Sequence, residues 1–179
     1  MPRKKKSIIE VDGRQYEAKY IGKGYFSKVY QVGDRVVMYT RGDCAKEVLA
    51  MYHYDRMAHL PEIIRHENIT VRPGIFWYVF SSPYYRNVTT KDKSAWLLMK
   101  KLILWWSEYK GSKSGIYNMQ EFVNFVYDDF PKSIIRALQE IVDIASNCGD
   151  NIGFDFHKGN FGVNAYGTLI FRDVFWVRS

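Results

Sequence analysis

The chain has 179 residues, a formal net charge of +7 and a sequence pI near 9.3. That length is enough for one domain, or for two small lobes, with sufficient buried surface to fold unaided. No apolar run reaches the roughly 20 residues that a membrane-spanning helix needs, and no apolar stretch follows the basic residues 3–6, so neither a membrane partner nor a secretory signal is expected.

The excess of positive charge indicates an anionic partner, such as a nucleotide, a nucleic acid or an acidic protein surface. Residues 1–6 form a basic tail that we expect to be disordered. A weak nucleic-acid contact through the basic surface is one option for it. Cys44 and Cys148 have neither metal-site spacing nor the density of a disulfide framework, so a reducing cytoplasm is the expected compartment.

Residues 7–82 are predicted to form an antiparallel meander with one helix. Alternating apolar residues predict strands at 7–11, 15–21, 27–31 and 35–40, separated by turns that contain glycine. A helix is predicted at 43–59 with Asp43 as its N-cap, followed by two strands around Pro73-Gly74. Ser81-Ser82-Pro83 would then be a hinge.

Residues 83–179 are predicted to be mainly helical, with helices at 93–109, 119–128 and 131–148. The last of these has the clearest signals, because Pro131 suits its first turn and Gly149 suits its C-terminal end. It leads into a loop at Asp155, after which residues 161–171 have the pattern of a strand, a turn and a second strand.

The loop Asp155-Phe-His-Lys-Gly-Asn160, followed by Asp173, is the most informative feature of the chain. Its carboxylates and amide match the set that a kinase-type site needs, in which one Asp takes the proton of the attacking hydroxyl while an Asn and a second Asp hold magnesium. For the loop taken alone, ordinary turn-forming Asp and Asn residues would be the better explanation.

A second motif lies at Tyr20–Tyr30, where Gly22 and Gly24 are one residue apart. Two glycines at this spacing let the backbone approach a phosphate closely, with the hydroxyl of Ser27 nearby and the apolar Val29 one strand residue further on. The motif lies between two predicted strands, which favours a glycine-rich flap over ATP rather than a dinucleotide-binding turn or a Walker loop.

The two motifs together resemble those of protein kinases, and most closely the early Ser/Thr protein kinases of T7-like bacteriophages. That family has a comparable Gly-x-Gly-x-Phe-Ser flap and Phe-Asp-x-His-x-Gly-Asn loop. The loop also resembles that of aminoglycoside phosphotransferases. The resemblance implies an α+β, protein-kinase-like fold, with an antiparallel N-lobe over residues 7–82 and a reduced helical C-lobe over 83–179.

The resemblance also implies ATP and Mg²⁺ as cofactors, with host proteins as substrates in the host cytoplasm. Asp155 would be the catalytic base, and Asn160 and Asp173 would hold magnesium. Lys158 or His157 would supply positive charge to the transferring phosphoryl group. The implied nucleotide-binding residues are Gly22, Gly24, Ser27, Val29, Val36 and Glu47. An ordinary surface role remains open for Lys158 and for Glu47.

Two departures from the kinase pattern are visible. Met38 occupies the strand position where a phosphate-binding lysine is expected, and the triplet Asp173-Val174-Phe175 lacks the usual glycine. Two interpretations therefore compete: an active kinase in which Lys23, Lys28, Arg41 or Lys158 replaces the strand lysine, and a pseudoenzyme that binds and inhibits a host protein or nucleic-acid machinery. A small-molecule phosphotransferase is a third, weaker alternative.

Overall fold

A computed structural model describes residues 6–23, 27–52, 57–149, 151–173 and 175–177. Gly24 of the predicted flap and residues 1–5 of the basic tail lie outside them. The fold is mixed α+β, and the chain divides into two compact units. In the described parts, the first unit comprises 6–23, 27–52 and 62–84, and the second comprises 57–61 and the residues from Tyr85 onward.

The first unit is built on an antiparallel sheet of seven strands. The strands are β1 Lys6–Val11, β2 Arg14–Lys23, β3 Ser27–Val32, β4 Arg35–Thr40, β5 Ile64–Arg65, β6 Ile69–Arg72 and β7 Ile75–Pro83. Their order is β1-β2-β3-β4-β7-β5, with β6 paired to β7. The predicted meander and the strands around Pro73-Gly74 are confirmed. β1, however, begins at Lys6, so the expectation that the tail extends to residue 6 is wrong.

One face of this sheet carries a buried apolar cluster, and cross-strand pairing explains its composition. Residues directly opposite each other in an antiparallel pair point to the same face. Ala18, Val37 and Val79 lie on the inward face, where they pack with Ile9 and Val11 of β1.

The helix found in the described part of the first unit, α1, spans Cys44–Tyr52 and is capped as predicted. The Asp43 carboxylate accepts a hydrogen bond from the Lys46 main-chain N–H at 3.1 Å, which satisfies one of the open donors of the first turn. The prediction that the helix continues to His59 is wrong. His59 has a φ of 77°, a left-handed conformation that a helix cannot contain, and its segment belongs to the second unit.

The second unit contains three helices among the described residues, α2 Lys93–Glu108, α3 Ile116–Phe125 and α4 Lys132–Ser146. Two of them match the predicted helices closely, while α3 begins and ends three residues earlier than expected. Short strands complete the unit: β8 Arg86–Asn87, β9 Ile152–Phe154, β10 Phe161–Val163, β11 Leu169–Phe171 and β12 Phe175–Val177. Strand β10 pairs with β11 and with β8, and β9 pairs with β12.

Aromatic side chains fill the core of the second unit around the loop that follows β9. Phe154 and Phe156 are buried and stack at 4.7 Å between ring centroids. Trp106 of α2 and Phe122 of α3 both pack edge-on against Phe154. A densely packed aromatic core of this kind holds the intervening backbone in place, so the loop starts from a rigid base.

Two further findings bear on the sequence-based expectations. The sequence predicts no disulfide framework, but neither Cys44 nor Cys148 is a free thiol in the structure. None of the described helices has the length and apolar character needed to cross a membrane.

Candidate functional site

The loop from Asp155 to Asn160 lies between β9 and β10, and its side chains alternate between the core and solvent. Phe156 is buried in the aromatic core, whereas the Asp155 side chain is 43% exposed. A short 3₁₀ turn over Lys158–Asn160 then returns the chain to the core, where Asn160 is buried. The loop therefore presents one carboxylate to solvent from a rigid base.

The Asn160 side chain is bonded directly to Asp155. Its Nδ2 donates to the Asp155 main-chain carbonyl oxygen at 2.9 Å and to the Asp155 carboxylate oxygen Oδ2 at 2.9 Å. Both amide protons are thus used to orient Asp155. The Asn160 Oδ1 accepts no hydrogen bond among the described residues, and it is not sealed from solvent. This oxygen is the part of the amide that could coordinate a hard cation.

The backbone that carries Asp173 is tied to the same residue. The main-chain N–H groups of Arg172 and Asp173 both donate to the Asn160 carbonyl oxygen, at 2.8 and 3.4 Å. The hairpin of β10 and β11 therefore brings Asp173 beside Asn160, as expected from sequence. The next residue, Val174, lies outside the described part of the chain.

His157 and Gly159 shape the inside of the loop. The His157 Nδ1 accepts a hydrogen bond from the Gly159 main-chain N–H at 3.1 Å, which places any proton of the neutral imidazole on Nε2, 3.7 Å from the Asp155 carboxylate. A Cβ on Gly159 would lie 2.8 Å from the His157 ring, so any other residue type would require the imidazole to shift. The glycine leaves room for the imidazole in its present position.

Arg172 anchors the loop from outside, and sequence reasoning did not identify it. Its guanidinium donates to the carbonyl oxygens of Gly159 at 2.7 Å and Tyr85 at 3.1 Å, and to the Asn87 side chain at 3.0 Å. A Cβ on Gly162 would come within 2.9 Å of the Arg172 side chain, so this glycine makes room for it. Arg172 joins the loop to the start of the second unit.

The predicted Lys158 lies over an aromatic ring. Its ammonium is 5.2 Å from the ring centroid of Trp96 on α2, and the Lys100 ammonium is 5.9 Å from the same centroid. Trp96 is the second contributor to this site that the sequence did not indicate. Because Lys100 lies over the same ring as Lys158, a second cation is present near the loop.

Some candidate nucleotide-binding residues of the first unit lie in one row that crosses the sheet from strand to strand. Strand register aligns Gly22 with Val29, Val29 with Met38, Met38 with Phe80, and Phe80 with Arg65. All five side-chain positions point to the face opposite the inward cluster. Val36 lies two residues from Met38 on β4, so it shares this face. The strand register thus places Gly22, Val29 and Val36 on one side of the sheet.

Gly22 has no packing reason to be a glycine. The β2–β3 register shifts between Tyr20 and Gly22, and a Cβ on Gly22 would meet nothing within 4 Å. A bulge with open space beside it is a place where a ligand can approach the backbone. Ser27, the first residue of β3, pairs with Thr40 and is half-buried.

Glu47 lies in the first turn of α1 and is partly exposed. Its expected partner position holds Met38, which is buried and carries no charge. The adjacent Lys46 is the buried cation of this helix, and it forms an ion pair with Asp43. An Asp and a Lys three residues apart on a helix are a recognisable signal that sequence reasoning passed over.

The cations proposed to replace the strand lysine lie elsewhere. Lys28 alternates with Val29 on β3 and therefore points to the opposite face, where its ammonium is 5.6 Å from the Trp77 ring centroid. The Arg41 guanidinium is 5.3 Å from the same ring. Lys23 pairs with Lys28 across β2 and β3 and shares its face. Arg65 is the cation on the row of Met38.

Within the described ranges, no three His, Cys, Asp or Glu side chains converge on a common point. A metal ion at the Asp155 loop would therefore need the Asn160 amide oxygen, or phosphate oxygens from a nucleotide, beside the carboxylates. The chain matches no protein-family model and no curated protein sequence.

Proposed function

We propose that this chain is a small Ser/Thr protein kinase of the phage type, with a kinase-like fold, that transfers the γ-phosphate of ATP to a hydroxyl of a host protein. The observation that carries the proposal is the double hydrogen bond from Asn160 to Asp155, with the Asp173 backbone tied to Asn160. This arrangement orients one carboxylate beside an amide oxygen and ties the main chain of a second Asp to the same Asn.

In this proposal, Asp155 accepts the proton of the attacking hydroxyl, since its carboxylate is exposed and held by Asn160. Asn160 Oδ1 and Asp173 would hold magnesium, which supplies neutralisation of charge on the phosphate oxygens when bound. Gly22 would let the main chain of β2 approach the phosphates, and Val29 and Val36 would contact the adenine. Glu47 and Ser27 are the remaining polar candidates for the nucleotide.

Lys158 belongs to the same proposal as a source of positive charge near the reacting groups. Its ammonium has no carboxylate partner among the described residues and rests over Trp96. An ammonium held in this way remains available to an anionic group that approaches the loop.

A kinase-like pseudoenzyme that binds and inhibits a host protein is the second candidate. The observation that favours it is Met38, a buried side chain without charge at the position expected to neutralise phosphate. The basic net charge is compatible with either function, because ATP and an acidic partner surface are both anionic.

The test is phosphoryl transfer from γ-labelled ATP to casein or to a host lysate, with wild-type protein and the Asp155→Asn variant. The asparagine can still accept the hydrogen bond from Asn160, so the fold should persist while transfer falls by several orders of magnitude. Asp143→Asn, which removes an exposed carboxylate from α4, is the matched control.

Three outcomes are informative. Transfer that is lost in Asp155→Asn and kept in Asp143→Asn supports the kinase. Undiminished transfer by Asp155→Asn removes this residue from the mechanism. An inactive wild-type protein that still binds a host protein would favour the pseudoenzyme.

A further inference from the structure

Trp96 of α2 carries two ammonium groups on one indole ring. Lys158 comes from the Asp155 loop and Lys100 from the next turn of α2, at 5.2 and 5.9 Å from the ring centroid. Both lysines are exposed, and the indole is half-buried. We call these three residues the Trp96 cluster. The cluster gathers charge from two separate parts of the second unit at one place beside the loop.

The positive charge of the Trp96 cluster is not balanced locally. Neither Lys100 nor Lys158 has a carboxylate within ion-pair distance among the described residues. Lys93, one turn before Trp96 on the same side of α2, is exposed as well and adds a third charge.

The acidic residue nearest to Trp96 in sequence, Asp92, is already engaged. Its carboxylate receives both terminal nitrogens of Arg86 and the main-chain N–H and hydroxyl of Thr89. These bonds, that of Arg86 first, hold the pKa of Asp92 well below its usual range. Asp92 is therefore committed to a local network, and the lysines of α2 keep their charge for another partner.

We infer that the Trp96 cluster is the docking site for the acceptor of the proposed kinase, and that it recognises an acidic peptide segment. This inference rests on the proposed function and names its substrate class: serine or threonine residues flanked by aspartate or glutamate. Because Lys158 is three residues from Asp155, an acidic side chain bound by the cluster would be anchored next to the catalytic carboxylate. Each acidic residue would exchange water for a charge-assisted hydrogen bond to an ammonium.

An acidic peptide fits the cluster better than a nucleic acid does. Proteins that bind single strands present open aromatic faces on which bases stack. Here the Trp96 ring is half-buried and already has two ammonium groups near its centroid, so little of it is open for stacking. Carboxylates need only the ammonium groups, which are exposed.

The experiment measures binding separately from catalysis. A fluorescein-labelled peptide with one serine and flanking glutamates is titrated with the full chain in the absence of ATP, and anisotropy gives the affinity. Lys100→Glu should weaken binding about tenfold or more, because one attractive contact becomes repulsive. Lys110→Glu, which makes the same charge change on another exposed lysine of this unit, should have little effect.

Two further arms complete the test. Binding should weaken as salt rises, and a peptide with glutamine in place of glutamate should bind at least about tenfold more weakly. If Lys100→Glu does not fold, as judged by its thermal midpoint, Lys100→Ala replaces it, with an expected loss of about threefold or more.

Equal losses in Lys100→Glu and Lys110→Glu would overturn the inference, as would equal binding of the glutamate and glutamine peptides. Tight, Lys100-dependent binding of an oligo-dT strand with no binding of the glutamate peptide would assign the cluster to nucleic acid instead. Cluster-dependent binding without phosphoryl transfer would refute the kinase proposal alone. Transfer to the peptide that ignores Lys100→Glu would refute the docking site alone.

Discussion

Replacing Asn160 by alanine should destabilise the second unit by roughly 2–3 kcal/mol, and the structure supplies the terms. The side chain is 9% exposed and donates two hydrogen bonds of 2.9 Å to Asp155. A neutral hydrogen bond contributes about 0.5–1.5 kcal/mol and one to a charged group about 1.5–3 kcal/mol. The hydrogen bond to the Asp155 carboxylate is counted at the lower end of its energy range, because that carboxylate is 43% exposed and water can replace the amide there.

The assay is urea denaturation followed by tryptophan fluorescence, which reports on the second unit through Trp96, Trp105 and Trp106. The control is Asn124→Ala, which removes an exposed amide from α3 and should change stability by less than about 0.5 kcal/mol. Asn160→Asp keeps the volume but places a carboxylate against Asp155, so at neutral pH it should lose at least as much as Asn160→Ala. A loss from Asn160→Ala no larger than that of the control would refute the reasoning.

Three further predictions concern pH and charge. Burial lowers the pKa of His59, so the free energy of unfolding should fall as the pH drops below about 6.5, and His59→Asn should flatten that dependence in pH-dependent denaturation curves. The pKa of Asp12 is lowered by the Glu67 main-chain N–H and by His66. The resulting contribution to the free energy of unfolding should be present above about pH 4 and lost as the pH falls further. Asp12→Asn should abolish this loss in acid titrations. If ATP binds at the face of the sheet that carries Met38, Met38→Lys should raise its affinity about tenfold, measured by calorimetry, because an ammonium would meet the phosphates. Unchanged or weaker binding would mean that the phosphates are held elsewhere.

Elements with long, regular patterns could be predicted from sequence, and short ones could not. The first four strands and α4 carry period-two or helical spacing over many residues, and the structure has them at the expected places. Strands β5 and β8 have two residues each, too few for any periodicity, and exist only because β7 and β10 supply partners. The end of α1 was missed for a related reason: the His59 Nδ1 donates to the Leu169 carbonyl oxygen, a contact 110 residues away in sequence.

The residues of the candidate site also fall into those that the sequence could identify and those that it could not. Asp155, Asn160 and Asp173 could be identified because they lie within one loop and the hairpin that follows it. Arg172 and Trp96 could not, since their roles depend on Asn87, Tyr85 and Lys158, which reach them from distant parts of the chain. A residue whose function lies in supporting another has no motif of its own, because many residue types can serve at that position in other folds.

The row of residues that aligns with Met38 across the sheet also contains a cation. The missing lysine of β4 is therefore weaker evidence against nucleotide binding. The same row ends at Arg65, which is exposed and points to the same face as Met38. One strand separates them, so their Cα atoms are about 10 Å apart at the usual strand spacing, a gap that an arginine side chain largely covers. Positive charge absent from β4 is therefore present two strands along, opposite Phe80. If Arg65 serves a bound nucleotide, Met38→Lys should improve ATP affinity less in the natural chain than in an Arg65→Ala background, because like charges on one face oppose each other. Equal gains in both backgrounds would show that Arg65 takes no part, and the buried methionine would then remain a physical argument for a chain that binds without catalysing.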